Sequence, residues 1–337
     1  MLFIKIPKKQ AEKIRQKLMG ENLYAKGYRT FHDEKFVYFP VLRKVKGYEI
    51  VEMEGEKTEK IKKLRELLSK VLTEEELESV VTSYDLIGDI AIIEIPEELE
   101  EKEKQIGDAI LETNKRLKTV AKKLGKVKSE YRVRPIKVIA GENRTETIYT
   151  EHGCRMKLDA AKVYFSVRLS TERKRIAELV KPGENILALF AGVGPFPLVI
   201  SKKQPKTNII AIELNPDGVK YMKENIKLNK ANNITPIEGD ARKIVLEKYR
   251  NFADRILMPL PWSADKFLDA AIAAAKNNCI IHIYNFAPIE NPYDEIERKI
   301  YNEAKKAGVK VEIVNKKIVR PYAPKIIQVV VDFKVSE

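Results

Sequence analysis

The feature that most constrains this sequence is an alternation of strand-like and helix-like segments that begins near Asp159. Short runs rich in Ile, Val and Ala, typical of buried strands, are separated by amphipathic stretches of helical length. Such alternation predicts a doubly wound parallel sheet. The predicted strands are Asn185–Phe190, Asn208–Glu213, Ile234–Glu238, Arg255–Pro259 and Ile280–Phe286, and the predicted helices are Pro197–Lys202, Pro216–Asn229, Ala241–Glu247, Ala264–Lys276 and Tyr293–Ala307.

The end of the chain departs from this alternation. Val309–Val314 and Ile326–Phe333 both have the pattern of strands, and no helix separates them. A late antiparallel hairpin beside a parallel core is typical of Rossmann-like methyltransferases and is absent from dinucleotide dehydrogenases. The sequence therefore predicts an α/β fold whose class I methyltransferase domain spans residues 159–337, with S-adenosylmethionine as its cofactor.

Two smaller α/β domains are predicted ahead of it, at residues 1–57 and 62–158, with a charged linker from Gly55 to about Lys63. In the second domain, Thr73 and Glu76 have the spacing of a capping box. The predicted elements of the two domains are strands at Leu2–Ile6, Lys35–Val41, Tyr48–Met53, Ile87–Ile95, Val133–Ala140 and Thr145–Tyr149, and a helix at Lys8–Met19.

The charge of the chain is unevenly distributed. Lys and Arg number 63 against 49 Asp and Glu, a formal charge of +14, and ten basic residues but one acid lie between Lys115 and Lys137. A polyanion is the natural partner of such a stretch, because phosphate contacts release condensed counterions. We predict substrate contacts from Lys122, Lys123, Lys126 and Lys128. The alternative is a solvated helix face.

Several classes of protein are disfavoured. Cys154 and Cys279 lack CxxC spacing and the three histidines are scattered, so neither a metal site nor a disulfide framework is expected. No apolar run approaches the ~18 residues of a membrane span, and the N-terminus has no signal-peptide pattern. The expectation is a soluble, cytoplasmic protein.

A glycine-rich turn follows the first predicted strand of the large domain. Gly192 and Gly194 lie where open α/β sheets bind ligands, and Glu213 ends the next strand, where a carboxylate can bind ribose hydroxyls. Pro197 stands where a dinucleotide fingerprint has Gly or Ala, which favours S-adenosylmethionine. Asp240, after the third strand, is placed to receive the adenine amino group. The alternative is that Glu213 and Asp240 are ordinary helix N-caps.

Two further segments carry polar or rigid groups. Met258-Pro259-Leu260-Pro261-Trp262 ends the fourth strand, where prolines leave carbonyls free to bind a target base or simply terminate the strand. Before the first strand, Tyr164-Phe165-Ser166 precede Thr171-Glu172-Arg173. Ser170 or Thr171 also suits a helix N-cap, so a structural role for this segment stays open.

Together these motifs resemble the archaeal and eukaryotic-type tRNA (guanine-37 N1)-methyltransferases over nearly the whole chain. The turn Phe190-Ala191-Gly192-Val193-Gly194-Pro195-Phe196 and Glu213-Leu214-Asn215-Pro216 are the most specific segments. Asp85-Leu86-Ile87-Gly88-Asp89-Ile90-Ala91 and Gly141-Glu142-Asn143 are similar to the middle domain of that family. The resemblance implies that tRNA is the partner and that the first domain grips the outer corner of the tRNA.

The resemblance also implies roles for individual residues. Glu172 is the implied general base, Arg132 the group facing guanine O6, Pro261 a member of the same catalytic set, and Tyr164 part of the pocket wall. The implied cofactor contacts come from Arg173, Phe190, Gly192, Gly194, Glu213, Leu214, Asn215, Asp240, Ala241 and Pro259. The expected assembly is a monomer without an obligate protein partner.

One position departs from the family pattern. Many members have Asn-Leu-Pro where this chain has Pro259-Leu260-Pro261, so an expected amide is missing. The alternatives are wyosine-pathway transferases acting on the same nucleotide, by carbon methylation, by both activities, or by transfer of an aminocarboxypropyl group. From other classes, an RNA-binding protein with a vestigial cofactor fold and a nicotinamide oxidoreductase are the remaining alternatives.

Overall fold

The computed structural model describes the chain except for residues 22, 26–27, 57–63, 81–82, 126–130 and 337. Most of the predicted linker and both Lys126 and Lys128 thus lie outside the described residues. The chain forms two compact units, residues 1–78 and 79–337. No helix within the described part of the chain has both the length and the hydropathy of a membrane span.

The first unit is a small antiparallel sheet with one long helix. Its elements are β1 (Leu2–Pro7), α1 (Ala11–Gly20), β2 (Phe31–His32), β3 (Phe36–Val41), β4 (Glu49–Glu52), α2 (Leu64–Leu68) and α3 (Glu74–Ser79). The strand order is β2-β3-β1-β4, and apolar side chains of β1, β3 and α1 form its core. The predicted capping box is confirmed, because Thr73 N donates to Glu76 Oε2 over 2.7 Å and Glu76 N to Thr73 Oγ1 over 3.3 Å.

The second unit begins with a four-stranded sheet and a hairpin. Its elements are β5 (Asp85–Ile87), β6 (Ile90–Ile93), α4 (Glu103–Thr113), β7 (Thr119–Lys123), β8 (Ile136–Gly141), β9 (Glu146–Glu151) and β10 (Cys154–Asp159). The sheet order is β5-β6-β7-β8, and β9 pairs with β10.

One prediction and one alternative for this region are wrong. The strand predicted at Ile87–Ile95 is two strands, because Gly88 turns the chain with a φ of +60°. The basic stretch contains the strand β7, whose Val120 and Ala121 are fully buried. The described part of this stretch therefore does not form a solvated helix face.

The remainder is built on a seven-stranded sheet. Its elements are α5 (Ser170–Leu179), β11 (Asn185–Leu189), α6 (Pro195–Lys203), β12 (Asn208–Glu213), α7 (Pro216–Asn229), β13 (Ile234–Glu238), α8 (Ala241–Lys248), β14 (Ala253–Met258), α9 (Leu268–Ala274), β15 (Ala275–Pro288), α10 (Asp294–Ala307), β16 (Lys310–Ala323) and β17 (Ile326–Ser336). The order is β13-β12-β11-β14-β15-β17-β16. β17 is antiparallel to both β15 and β16, and the other strands are parallel.

This topology confirms the predicted fold and positions the site. The chain order reverses between β11 and β14, and open α/β sheets bind ligands outside the carboxyl ends of their strands at such a point. One boundary is wrong: the helix predicted to reach Lys276 ends at Ala274, because Ala275 already pairs with Ala253 in the sheet. The final strands are also longer than predicted, which places Tyr322 near the same edge as the end of β15.

Candidate active site

The turn after β11 exposes backbone to the ligand edge of the sheet. Gly192 and Gly194 adopt φ angles of +57° and +88°, and Gly194 is the N-cap of α6 with Pro195 as its first residue. Such φ angles favour glycine. Phe190 also has a positive φ of +56°, and its ring contacts Phe267 with centroids 4.8 Å apart.

Glu213 is the centre of the predicted cofactor site. Its Oε2 accepts from Gly192 N over 2.7 Å and its Oε1 from Asn215 N over 2.8 Å. Burial raises the pKa of Glu213, while the N–H donors of Asn215 and Gly192 act in the opposite direction. Each carboxylate oxygen has more than one acceptor position, so ribose hydroxyls can still be bound.

Gly218 is a member of this site that the sequence analysis missed. A Cβ atom at this position would lie 3.0 Å from Cγ of Glu213 and 3.5 Å from the carbonyl oxygen of Gly192. The first distance is tighter than ordinary van der Waals contact. Gly218 therefore lets Glu213 lie against the start of α7, and its only local signal is its place in the first turn after Pro216.

Asp240, the second predicted acid of the cofactor site, has the structural role that was given as its alternative, a helix N-cap. Asp240 is the N-cap of α8, and its Oδ1 accepts from Lys243 N over 2.8 Å. The side chain is exposed, so capping and a hydrogen bond from adenine are compatible. Ala241, next to it, is buried as the first residue of α8.

Asn215 connects the cofactor site to the segment before α5. Its Oδ1 accepts from Asp217 N over 3.0 Å, which caps α7, and its Nδ2 donates to Lys162 O over 2.9 Å. Leu214, between Glu213 and Asn215, is half-buried. The side chain of Asn215 therefore fixes the site, and its backbone N–H serves Glu213.

These groups fit S-adenosylmethionine. A half-buried carboxylate can receive two hydroxyl groups, and the neighbouring turn presents backbone in place of side chains. Arg242 adds a cation 5.4 Å from the ring of Phe267, which itself packs on Phe190. The carboxyl ends of β11, β12 and β13 therefore offer a polar ribose site with an aromatic wall beside it.

The structure gives Arg173 another role than the predicted cofactor contact. Its side chain is 1% exposed, and its Nε and Nη2 both donate to the carboxylate of Glu151. Its Nη1 donates to Ser166 O over 3.1 Å, and the guanidinium lies over the ring of Phe165. These bonds commit the guanidinium to holding the loop before α5, which argues against a direct cofactor contact.

Glu172, the predicted base, is 3% exposed and firmly oriented. Its Oε1 accepts from Arg175 Nε over 2.8 Å and from the hydroxyl of Tyr284 over 2.9 Å. Its Oε2 forms an ion pair with Nζ of Lys317 at 3.6 Å, beyond hydrogen-bond distance. Oε1 is thus anchored by hydrogen bonds, whereas Oε2 accepts none from the described residues.

A buried polar network extends behind Glu172. Arg175 Nη1 donates to Asp332 Oδ2 over 2.7 Å, and Asp332 Oδ1 is 2.7 Å from Nδ1 of His282. Burial alone would raise the pKa of Asp332, but His282 and Arg175 hold it well below its usual range. Burial in turn lowers the pKa of His282. No sequence pattern pointed to this network, apart from the helical spacing of Glu172 and Arg175.

Arg132 contacts residues 258–263 at the end of β14, which we call the proline segment. Its Nη2 donates to Ser263 Oγ over 2.7 Å across 131 residues of sequence. Burial lowers the pKa of Arg132, and nearby Tyr164, whose side chain is 48% exposed, opposes that shift. The structure therefore brings Arg132 and Tyr164 close to each other and Arg132 to the segment that contains Pro261.

The proline segment has fewer free carbonyls than predicted. Met258 O accepts from Leu260 N, Leu260 O from Ser263 N and Ala264 N, and Pro261 O from Phe286 N over 3.2 Å. Pro261 is buried and Pro259 half-buried. Among the described residues no donor reaches the carbonyl of Pro259, so it is the carbonyl of this segment best placed to meet a ligand.

Lys122 is structural. Its side chain is 5% exposed, and its Nζ lies 2.9 Å from Glu100 Oε1 and 2.5 Å from Glu103 Oε2. The hydrogen bonds that Lys122 donates to Glu103 and Glu100 raise its pKa. This pairing contradicts the phosphate contact predicted for Lys122, because a buried, doubly paired ammonium is not available to a polyanion.

Lys123 is paired as well. Its Nζ lies 3.1 Å from Glu94 Oε1 and 3.4 Å from Asp85 Oδ2. The predicted contact of Lys123 with tRNA is therefore disfavoured too. The exposed cations of the described part of this stretch include Lys115, Arg116 and Lys118.

The sheet order, the terminal hairpin and the acid facing a glycine turn define a Rossmann-like, S-adenosylmethionine-dependent methyltransferase. Three family models match the chain: the TRM5/TYW2 methyltransferase domain at residues 147–313, the TYW2 N-terminal domain at residues 64–145, and the tRNA methyltransferase 5 N-terminal domain at residues 4–49.

Relatives match along the full length. A tRNA (guanine(37)-N(1))-methyltransferase Trm5b of Pyrococcus abyssi is 44% identical, with 99% of each chain covered. The crystal structure of Trm5b from Pyrococcus abyssi superposes with a TM-score of 0.76 over 100% of both chains. A complex of aTrm5 with tRNALeu is 34% identical, with a TM-score of 0.71 and 99% of each chain covered. This chain belongs to the TRM5/TYW2 methyltransferase family.

Proposed function

We propose that this protein is a tRNA (guanine-37 N1)-methyltransferase that uses S-adenosylmethionine. The observation that carries the proposal is full-length similarity, at 44% identity, to an enzyme of that name. The positions of Glu172 and Arg132 support it, since both lie in one unit with the cofactor site.

Proton removal is assigned to Glu172. N1 of guanine carries a proton that must leave as the methyl group arrives, so a carboxylate within reach is the simplest agent. Arg175 and Tyr284 hold Oε1 of Glu172, which leaves Oε2 to accept the proton. The same bonds keep the carboxylate in one orientation before the substrate binds, and such preorganisation lowers the cost of the chemical step.

Stabilisation of charge is assigned to Arg132. As the N1 proton leaves, negative charge builds on O6 of guanine, and a fixed guanidinium there is most effective where water is scarce. The bond from Arg132 to Ser263 fixes one end of the guanidinium beside the proline segment. The other donors of the guanidinium are then available to O6.

The cofactor fits the ends of β11 to β13. When bound, S-adenosylmethionine supplies the electrophilic methyl group. Glu213 would bind the ribose hydroxyls, the turn at Gly192 and Gly194 would lie along the cofactor, and Asp240 would receive the adenine amino group. Tyr164, half exposed at the mouth, would line the pocket for the flipped guanine.

The remaining expectations concern the rest of the chain. We infer that residues 1–57 grip the outer corner of tRNA and that residues 62–158 and 159–337 hold the anticodon loop. A monomer acting in the cytoplasm is also expected. Light scattering of the protein with and without tRNA tests the oligomeric state, and cell fractionation tests the compartment.

Pro259 favours a second candidate. Proline lacks the side-chain amide of the Asn that many members of the resembled family have at this position. The wyosine-pathway enzymes act on the same nucleotide. Under this alternative the product would carry a methyl or an aminocarboxypropyl group on carbon. The full-length similarity favours N1 methylation, so we retain the alternative as an outcome of the experiment.

The experiment is mass mapping of modified tRNA. Unmodified tRNA transcripts are incubated with the protein and methyl-labelled S-adenosylmethionine, digested with nuclease, and analysed by mass spectrometry. We expect one added methyl group, located at N1 of guanine 37. A transcript with adenine at that position is the control and should remain unmodified. Label on carbon, an aminocarboxypropyl mass, or no modification would overturn the proposal.

A further inference from the structure

Three aromatic side chains form an exposed surface next to the proline segment. Trp262 is 56% exposed and Tyr322 42% exposed. Ring centroids lie 4.8 Å apart for Trp262 and Phe286, 5.7 Å for Trp262 and Tyr322, and 4.0 Å for Phe286 and Tyr322. We call these three residues the aromatic platform. An aromatic cluster that remains this open is unusual, because burial of its rings would be favourable.

The sheet holds the platform in place. Phe286 and Arg320 lie on either side of Gln328 in the register of β15, β17 and β16. Gln328 is 1% exposed and its Oε1 accepts from Arg320 Nε over 2.8 Å. Phe286 and Tyr322 therefore lie on two strands that both pair with β17, whereas Trp262 comes from the turn after β14 and packs on both of their rings.

The platform is also fixed relative to the target site. Phe286 N donates to Pro261 O, and Trp262 is the residue that follows Pro261. Ser263, which comes next, accepts the hydrogen bond from Arg132. Trp262 thus lies between Pro261, a member of the predicted catalytic set, and Ser263, which holds Arg132.

The charge beside the platform suits a nucleic acid. The guanidinium of Arg320 lies 5.7 Å from the ring of Tyr322, and no carboxylate in the described part of the chain pairs with it. Arg132 supplies a second guanidinium, which is bonded to Ser263, the residue after Trp262. Aromatic faces next to Arg are the usual means of binding unpaired bases together with their phosphates.

We propose that the aromatic platform stacks an unpaired base of the tRNA anticodon loop that directly adjoins guanine 37. The inference rests on the proposed function. A guanine that leaves the stack deprives its neighbours of a stacking partner, and a preformed aromatic surface one residue from the pocket replaces that partner. Trp262 supplies the main contact, Tyr322 and Phe286 support its ring, and Arg320 contacts the adjoining phosphate.

The natural probe is the fluorescence of Trp262, because the chain contains one tryptophan. The wild-type protein is titrated with an anticodon stem-loop transcript and with two variants that are abasic on the 5′ or the 3′ side of guanine 37. We expect strong quenching by the intact stem-loop and by one abasic variant, and no quenching by the other. Equal quenching by all three RNAs would overturn the proposal without any protein variant.

A double-mutant cycle measures the contact itself. Trp262→Ala should weaken stem-loop binding about 10-fold, within the range known for removal of one stacked base, and Trp262→Phe should recover most of that affinity. The abasic change that abolishes quenching should weaken stem-loop binding to wild type by a similar factor. It should weaken binding to Trp262→Ala only slightly further. Tyr301→Ala, a 48% exposed aromatic residue on α10, is the matched control and should bind like wild type.

The outcomes separate this inference from the proposed function. Trp262→Ala and the abasic change are independent if their losses of stem-loop affinity multiply. If they do so while wild type methylates guanine 37, the platform is refuted and the proposed function stands. If the two effects are coupled but the product is not 1-methylguanine at that position, the platform stands and the proposed function fails. S-adenosylmethionine affinity should be unchanged in every variant, and a changed affinity in Trp262→Ala would assign the residue to the cofactor site instead.

Discussion

The part of the site that would bind the cofactor, the cofactor side, is assembled from groups that are close together in the chain. The part that would bind guanine, the guanine side, is assembled from groups that are far apart in the chain. Gly192 N and Glu213 are separated by 21 residues, within one strand-helix-strand unit. By contrast, Tyr284 reaches Glu172 across 112 residues and Arg132 reaches Ser263 across 131. The first side therefore follows from local sequence motifs, whereas the second exists only once the whole second unit has folded.

The two sides also differ in chemistry. Backbone N–H groups and the carboxylates of Glu213 and Asp240 make the cofactor side, which suits binding of a neutral ribose and of the adenine amino group. The guanine side has a carboxylate held by two donors and a guanidinium beside a proline segment, which suits movement of a proton and of charge. A substitution on one side should therefore change binding of the cofactor, and a substitution on the other should change the rate.

The largest effect is expected for Glu172→Gln. Gln keeps the shape but cannot take the N1 proton, so the single-turnover rate should fall by roughly 10²–10⁴-fold. tRNA and cofactor affinities should stay within a few-fold. Rapid-quench measurement at saturating tRNA and cofactor gives this rate. Glu178→Gln, at a 54% exposed side chain on the same helix, is the control and should react like wild type.

Glu213→Ala should change binding instead of rate. Loss of the half-buried carboxylate leaves ribose hydroxyls unpaired, which should weaken S-adenosylmethionine binding by roughly 1–3 kcal/mol in calorimetry. At saturating cofactor the single-turnover rate should recover to within a few-fold of wild type. Glu238→Ala, at the exposed end of the next strand, is the matched control. A wild-type dissociation constant in folded Glu213→Ala would refute the cofactor placement.

Lys122→Gln should affect stability rather than RNA binding. Its removal leaves Glu103 without one of its two cationic partners, so the free energy of unfolding should fall by about 1–3 kcal/mol, as urea titration would show. Lys118→Gln, at an exposed position of the same stretch, should change it by less than about 0.5 kcal/mol. Unchanged stability in Lys122→Gln would restore a role in binding phosphate.

The smallest effect is expected from the exposed cations. Lys115, Arg116 and Lys118 are replaced together with Gln, and tRNA binding is measured across a range of salt concentrations. Each phosphate that the variant no longer neutralises should reduce the slope of log K against log salt by about 0.7–0.9. Cofactor affinity should not change. Identical slopes for this variant and wild type would show that these three cations do not contact phosphate.

Much of the fold was predictable from local patterns. The strands Asn208–Glu213 and Ile234–Glu238 and the helix Pro216–Asn229 were predicted with correct bounds, because apolar runs end at recognisable caps such as Asn215. β7 was missed because two of its five residues are lysines, and their burial depends on acids from other elements.

The guanine side shows why part of the site was not predictable. Arg132 and Glu172 were found through resemblance, but nothing in the sequence indicates that Arg175, Asp332 and His282 share one network. The resemblance assigned Arg173 to the cofactor site, yet its guanidinium instead meets Glu151. Contacts between distant strands are set by sheet register, which local periodicity does not specify.

The most direct test of the account is the single-turnover rate against pH for wild type and Glu172→Gln. We expect the wild-type rate to rise with pH and then level off, because the Glu172 carboxylate takes the N1 proton. The rate of Glu172→Gln should lack this limb and respond only to ionisation of guanine N1 itself. Parallel profiles for the two proteins, or a near-normal rate in Glu172→Gln, would contradict the assignment of proton removal to Glu172.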